Sequence, residues 1–299
     1  MTAVVPGALD TEGRPAAADP SSTTIAASRS SRRGWRALLV RPTFLVSAAI
    51  LLWWVVLAIG WHAFGLQPYA KTGGLLLAPS GAHWFGTDSL GRDVFARVAA
   101  GARPALLIGP LGAALATVLG GTLGLLAGYH RGWVDTALMR FFDVLLALPS
   151  LIFLVVLVGA FGVSTPALIL IVGVLFAPGI ARIVRAAVLV EMGKSYVQAA
   201  RLQGESGFRA MLTELLPNVV GVFVIQAVLS LGAAIFITAS LSFLGLGSQP
   251  PAADWGLDIN ANRAYLQAAW WTVVFPGIAV ASIVVSANLI ADNLKEVSE

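Results

Sequence analysis

Apolar residues along this chain gather into long unbroken runs, separated by short polar and basic segments. Crossing about 30 Å of hydrocarbon at 1.5 Å per residue takes a helix of about 20 apolar residues. Residues 43–64 and 104–129 each meet that length. Residues 144–180 carry no charge and are too long for one span and too short for three, so the turn-like Gly162-Val163-Ser164-Thr165-Pro166 divides them in two. Residues 219–241 and 270–291 complete six predicted spans. Residues 1–30 are rich in Ala, Ser, Thr and Pro and lack a helical period, so residues 1–40 are expected to form a disordered tail. The first apolar run begins only after Arg41, is too long for a signal-peptide core and is followed by no cleavage signal; it reads as a retained anchor. No repeat of 20–50 residues is visible.

Composition makes the bilayer the solvent. Hydrophobic residues are 58% and charged residues 11% of the 299, against about 45–50% and about 25% in soluble domains. One chain of this size cannot bury that much apolar surface from water, which argues against a soluble enzyme and equally against a disordered protein. The mean hydropathy of +0.83 agrees. The absence of cysteine excludes disulfides, thiolate metal sites and a cysteine nucleophile. The formal charge is +4, and nine of the nineteen Lys and Arg lie in two tracts, Arg29 to Arg41 and Arg182 to Arg201. Such tracts set orientation rather than bind nucleic acid. With six spans and the N-terminus inside, the cytoplasmic segments hold fourteen basic residues and the external ones five: Lys71, Arg92, Arg97, Arg103 and Arg263. Both termini are therefore expected in the cytoplasm. Trp61, Trp84, Trp133, Trp255, Trp270 and Trp271 fall near span ends, as an aromatic belt would.

The predicted spans contain no Asp, Glu, Lys or Arg. Ion-coupled carriers place ionisable groups there despite the cost, so energy for transport must come from elsewhere, or the protein is a passive pore. Gln226 and Asn288 are the main strongly polar side chains in the spans, and interhelical hydrogen bonding is expected of both. Gly120, Gly124 and Gly128, four apart, form a small-residue face for close helix packing. The longest polar segment, residues 181–218, is helix-favouring on both sides of Gly204. Gly204 and Gly207 permit a sharp turn, and Pro217 ends the second helix or starts the next span. A projecting cytoplasmic hairpin and an ordinary solvated loop fit this composition equally. Asp88, Arg92 and Asp93 invite an acid–base reading, but their spacing favours a helix capped by Asp88, with Arg92 paired to it at i,i+4. No G-x-x-x-x-G-K-[ST] loop occurs, so the chain is not expected to bind ATP itself, and no bound cofactor is expected. His62, His83 and His130 lack metal-ligand spacing.

Gln198-Ala199-Ala200-x3-Gly204, with Leu216-Pro217 downstream, resembles the EAA loop of ATP-binding-cassette import permeases. Gln198 stands where that motif has Glu, and Glu214 where it has Ile. Phe85-Gly86-Thr87-Asp88-Ser-Leu-Gly91-Arg92-Asp93-Val-Phe-Ala-Arg97, continuing to Gly101-Ala-Arg103, is similar to the signature before the second span in the dipeptide, oligopeptide and nickel permease family. Leu241-Ser-Phe-Leu-Gly245-Leu-Gly247-Ser-Gln249-Pro250-Pro251-x3-Trp255-Gly256 is similar to that family's motif after the fifth span, with Thr238 where an acidic residue is usual. Asp135, Met139-Arg140, Asp143 and Leu148-Pro149-Ser150 also fit. The resemblance runs from about residue 33 to 296 and is closer to the "C" type subunit than to its "B" partner.

That resemblance implies an all-α membrane protein with the type I importer permease fold. Residues 41–103 would form the first transmembrane helix and an external amphipathic segment. Residues 104–299 would form a five-helix core, with a cytoplasmic coupling loop at 181–217. It implies half of a translocation pore for di- or oligopeptides in a bacterial inner or plasma membrane, not an enzyme. The implied partners are a second homologous permease, two ATPase domains that carry the ATP, an external substrate-binding protein and the surrounding lipid. Gln198, Ala199, Ala200, Arg201, Gly204, Glu205, Leu216 and Pro217 would form the ATPase-coupling loop, with Arg201 and Glu205 facing charges on the ATPase rim. A nickel or other small-solute importer is the alternative within the family. An ATP-independent channel or carrier is the alternative outside it.

Overall fold

A computed structural model describes residues 41–298. The expected tail at residues 1–40 lies outside the described residues. The described residues form helices and no strand longer than an isolated bridge. In chain order these are α1 (Pro42–Gly60), α2 (Val94–His130), α3 (Gly132–Ala147), α4 (Ser150–Phe161), α5 (Thr165–Glu191) and α6 (Ser195–Leu202). There follow the four-residue α7 (Gly207–Ala210), a π-turn at Met211–Leu215, α8 (Leu216–Phe243), α9 (Trp255–Asn262) and α10 (Trp271–Ser298). Five helical segments are long and apolar enough to cross a membrane: α1, α2, α5, the continuous run Gly207–Phe243, and α10. The α3–α4 pair supplies a sixth only as a broken span, bent by 96°.

That bend corrects the expected third span. Residues 144–161 do not form one helix, because Pro149 has no N–H to continue α3 and holds Leu148 in an extended conformation (φ −80°, ψ 132°). The expected break between third and fourth spans does occur at Gly162, whose φ of +75° ends α4. Ser164 then caps α5, its hydroxyl accepting from the Ala167 amide at 3.3 Å. A second correction concerns residues 181–191. They are not loop but the last three turns of α5, whose Arg182 and Arg185 carry their charges to Asp143 and Asp135 of α3.

The helices pack in an order that the small residues dictate. α2 runs beside α5 so closely that a Cβ at Gly120 would lie 2.4 Å from the Ala177 carbonyl oxygen, and one at Gly124 2.5 Å from that of Ala181. At Gly128 it would lie 2.7 Å from a Val188 methyl. α8 packs on α2 and α10, and α1 closes over α10 and the first turns of α2. Gln226 and Asn288 make no interhelical hydrogen bond among the described residues, against expectation. Gln226 is half-buried, and Asn288 is exposed beside Gly232.

Candidate functional site

Two regions gather the motif residues, one at each end of α2. Near its start, the segment 66–93 folds over the ends of α2 and α10. Asp88 is buried, and its carboxylate accepts from the amides of Leu90 and Arg92 and pairs with the Arg92 guanidinium at 2.7 Å. It does not cap the helix: α2 begins at Val94, and Asp93 is its cap, accepting from the Ala96 amide at 2.9 Å. The other Asp93 oxygen meets His83 Nδ1 at 2.8 Å. Thr87 is buried, donating to the Gly74 carbonyl at 2.6 Å. Gly86 (φ +73°) and Gly91 (φ +74°) sit where a Cβ would strike the carbonyl oxygens of Leu77 and Gly73. Every acidic group of this stretch is thus engaged in holding the turn.

The motif after the fifth span comes to the same place. The Trp255 indole donates to the Val98 carbonyl at 2.8 Å, and Gly101 leaves room for its ring. Arg97 reaches Asp258, the Pro68 carbonyl and the Ala252 carbonyl. Asp258 belongs to no motif in the sequence reading. Nothing in a linear pattern signals a pair 161 residues apart.

At the far end of α2 stands the hairpin. α5 ends at Glu191, a three-residue turn follows, and α6 carries Gln198, Ala199 and Ala200. Val197 is fully buried against Met192, Met211 and Leu215, which fixes the opposite face of α6 outward. Gln198 and Ala199 are exposed and Ala200 is half-buried. The chain reverses at Gly204, whose φ is +78° and whose missing Cβ faces open space. Ser206 then caps α7, accepting from the Arg209 amide at 3.4 Å. Gly207 lets the returning arm of the hairpin pass close to Tyr129 of α2, 2.9 Å from an added Cβ to the phenol oxygen.

One sequence expectation changes here. Glu205 is not free to face a partner, because Arg209 at 3.1 Å and Thr213 at 3.4 Å hold its carboxylate within the hairpin. The Arg201 side chain lies outside the described residues. Pro217 stands in the first turn of α8, at the start of the next span as expected, and the run is continuous with the residues ahead of it. The helix passes through it, and the π-turn just ahead, with the Leu216 amide bonded to the Met211 carbonyl, accommodates a residue that cannot donate to its own i−4 carbonyl. Leu216 packs against the cluster around Val197, and Pro217 is exposed, so these two belong to the hairpin's base rather than its tip.

Two residues of the tip were missed. Leu202 is 89% exposed and Phe208 70% exposed, on either side of Gly204. With Ala199 and Leu212 they are among the exposed apolar side chains of the hairpin. Their signal was local: two large apolar side chains flanking a glycine turn. No cluster of three or more metal-ligating side chains exists among the described residues.

With this geometry in hand, comparison with known proteins is direct. Residues 120–297 match the model of the binding-protein-dependent transport system inner membrane component. The dipeptide transport system permease protein of Alkalihalophilus pseudofirmus is 35% identical over 267 residues, 89% of this chain and 88% of that one. The glutathione transport system permease protein of Pectobacterium atrosepticum is 35% identical over 270 residues, 89% of each. The di/tripeptide transport system permease protein of Pseudomonas aeruginosa is 39% identical over 211 residues, 71% of this chain and 70% of that one. The all-helical, multi-pass architecture is that of a type I importer permease. The chain belongs to the inner membrane components of binding-protein-dependent transport systems.

Proposed function

We propose that this chain is one permease subunit of an ATP-driven importer of di- or oligopeptides, and that the hairpin around Gly204 is its dock for an ATPase. The observation that carries the dock is the tip itself: Ala199, Leu202 and Phe208 exposed around a turn with open space at Gly204. The peptide cargo rests on the relatives, whose names specify dipeptides, di- and tripeptides, or glutathione, itself a tripeptide. The bent α3–α4 pair buries only Phe142, Leu154 and Val158, leaving apolar surface on which a second, homologous permease completes the pore. In this reading, closure of the ATPase pair on ATP moves the hairpin, and the helices rotate to open the path toward the binding protein.

Gly204→Asp tests the dock. Its positive φ is one that Asp tolerates better than most residues, and among the described residues no atom beyond its chain neighbours lies within 4 Å of the new Cβ. The chain should therefore fold, while co-purified ATPase and peptide uptake fall by at least about tenfold, as expected for a central interface position. Ala200→Glu should behave alike. Wild-type values of both readouts in Gly204→Asp would make the hairpin an ordinary loop.

The same reading places both termini and the hairpin in the cytoplasm and residues 66–93 outside. The support is the basic asymmetry, together with the pairing of Arg92 and Arg97, two of the five external basic residues, with Asp88 and Asp258. The chain has no cysteine, so Ser89→Cys gives a single reporter. It should react with impermeant reagent added outside intact cells. Labelling only after the cytoplasm is opened would reverse the orientation.

A further inference from the structure

α6 has eight residues, too few for a helix to persist in water unsupported. It joins α5 through Met192-Gly193-Lys194, a turn with a glycine at its centre and two exposed residues. A joint of that kind would absorb a displacement of α6 instead of passing it on. Two contacts cross it. Val197 is buried in the cluster with Val184, Val188 and Met211. Beside it, Glu191 at the last turn of α5 is only 7% exposed. Its Oε1 accepts from the Tyr196 phenol at 2.8 Å, and Lys194 lies 2.8 Å from its Oε2. A carboxylate withdrawn from water in this way costs free energy unless its partners hold it. Partial burial, and then the adjacent Glu191, push the Tyr196 phenol up to about 12, so it stays a donor throughout the physiological range. Behind Glu191, α5 is tied to the rest of the bundle: Arg185 forks onto Asp135 of α3, and Val188 lies against Gly128 of α2.

We infer that Glu191 is a positioning residue, and that its bond to Tyr196 across the turn makes α6 and the end of α5 a single rigid lever. This deepens the coupling reading above and rests on it for its functional consequence, though not for its geometry. A motion imposed on α6 enters α5 at Glu191 and reaches α2 and α3 through Val188 and Arg185.

The geometry is tested on the isolated full chain with spin labels at cysteines replacing Ala186 on α5 and Gln203 beyond α6, both exposed. The unsubstituted background should give one narrow distance peak. Glu191→Ala should lose it, Tyr196→Phe should broaden it, and Glu191→Gln, whose amide oxygen still accepts from the phenol, should largely restore it. The assembled transporter then gives the functional arm, read as dialanine taken up per ATP hydrolysed. Glu191→Ala should lower that ratio by about tenfold while the ATPase still co-purifies, within the range that mutation along a coupling path produces. Should Glu191→Ala fail to fold, Tyr196→Phe and Glu191→Gln carry both readouts. An unbroadened peak in Tyr196→Phe overturns the lever, and so does an unchanged ratio in Glu191→Ala. Loss of the ATPase from Glu191→Ala would also overturn it, reducing Glu191 to a support of the dock. If the distances behave as expected but the wild-type chain retains no ATPase, the lever stands and the coupling reading falls.

Discussion

Gly124→Leu should abolish the folded chain, and Gly124→Ala should already destabilise it by about 1–3 kcal/mol, the usual cost of overpacking. The reason is what the new atoms meet. A Cβ at Gly124 lies 2.5 Å from the Ala181 carbonyl oxygen and 3.0 Å from its Cα, both backbone. No rotamer change relieves such a contact, so α2 and α5 would have to separate. Separation also breaks the neighbouring contacts of Gly120 with Ala177 and of Gly128 with Val188, because all three glycines lie along one line of approach. Membrane helices gain little from apolar burial and depend on close packing, so the loss spreads along the whole pair. Gly221 supplies the control, since among the described residues no atom beyond its own helix backbone and chain neighbours lies within 4 Å of its Cβ position. The measurement is monodispersity and thermal unfolding in detergent. A monodisperse Gly124→Leu variant with the same melting temperature as Gly221→Ala would show that α2 and α5 do not approach as described.

What the sequence made legible follows the same physics. Apolar length located α1, α2, α5, α8 and α10, because crossing hydrocarbon is a constraint on composition alone. Gly162 and Gly204 were readable as breaks, since a positive φ has few other tenants. The bend at Leu148-Pro149 was not, because both of its arms are equally apolar and a window of hydropathy passes straight over it. The end of α5 was misjudged for the opposite reason. Arg182, Arg185 and Glu191 look like loop residues, yet each is held by a partner that sequence does not place beside it: Asp143, Asp135 and Tyr196. At the hairpin, the small residues and the turn were visible, but the engagement of Glu205 by Arg209 and the exposure of Leu202 and Phe208 depend on which way each helix face turns. Val197, fully buried, decides that, and an eight-residue helix is too short for periodicity to reveal it.

The largest purely electrostatic effect should come from Arg97→Ala. Arg97 is 3% exposed and joins three segments: its Nε donates to Asp258 Oδ1 at 2.7 Å, Nη1 to the Pro68 carbonyl at 3.0 Å, and Nη2 to the Ala252 carbonyl at 2.7 Å. Removing it leaves two carbonyls and a carboxylate buried without their donor, which costs about 3–5 kcal/mol when one member of a buried pair is lost. Lysine should not rescue, since one ammonium cannot reproduce the fork that reaches all three. Asp258 is equally buried, and its Oδ2 has no hydrogen-bond partner among the described residues. Burial pushes its carboxyl up to about 6, even against the pull of Arg97. The sign follows from linkage. The unfolded carboxyl titrates near 3.9, so the folded state holds the extra proton between about pH 4 and 6. The stabilisation from that proton is therefore complete below pH 4, fades as pH rises through about 6, and is absent above. With Asp258 largely protonated at pH 5, its attraction to Arg97 is already weakened there. The cost of Arg97→Ala should accordingly be smaller at pH 5.0 than at pH 7.5, as read from thermal unfolding or protease cleavage within residues 66–93. Asp258→Asn, of the same shape but without the titration, should flatten the wild-type pH dependence over this range. An Arg97→Ala deficit of the same size at both pH values would mean that Arg97 acts only through the two carbonyls, and that the charge of Asp258 contributes nothing to the closure of this end of the bundle.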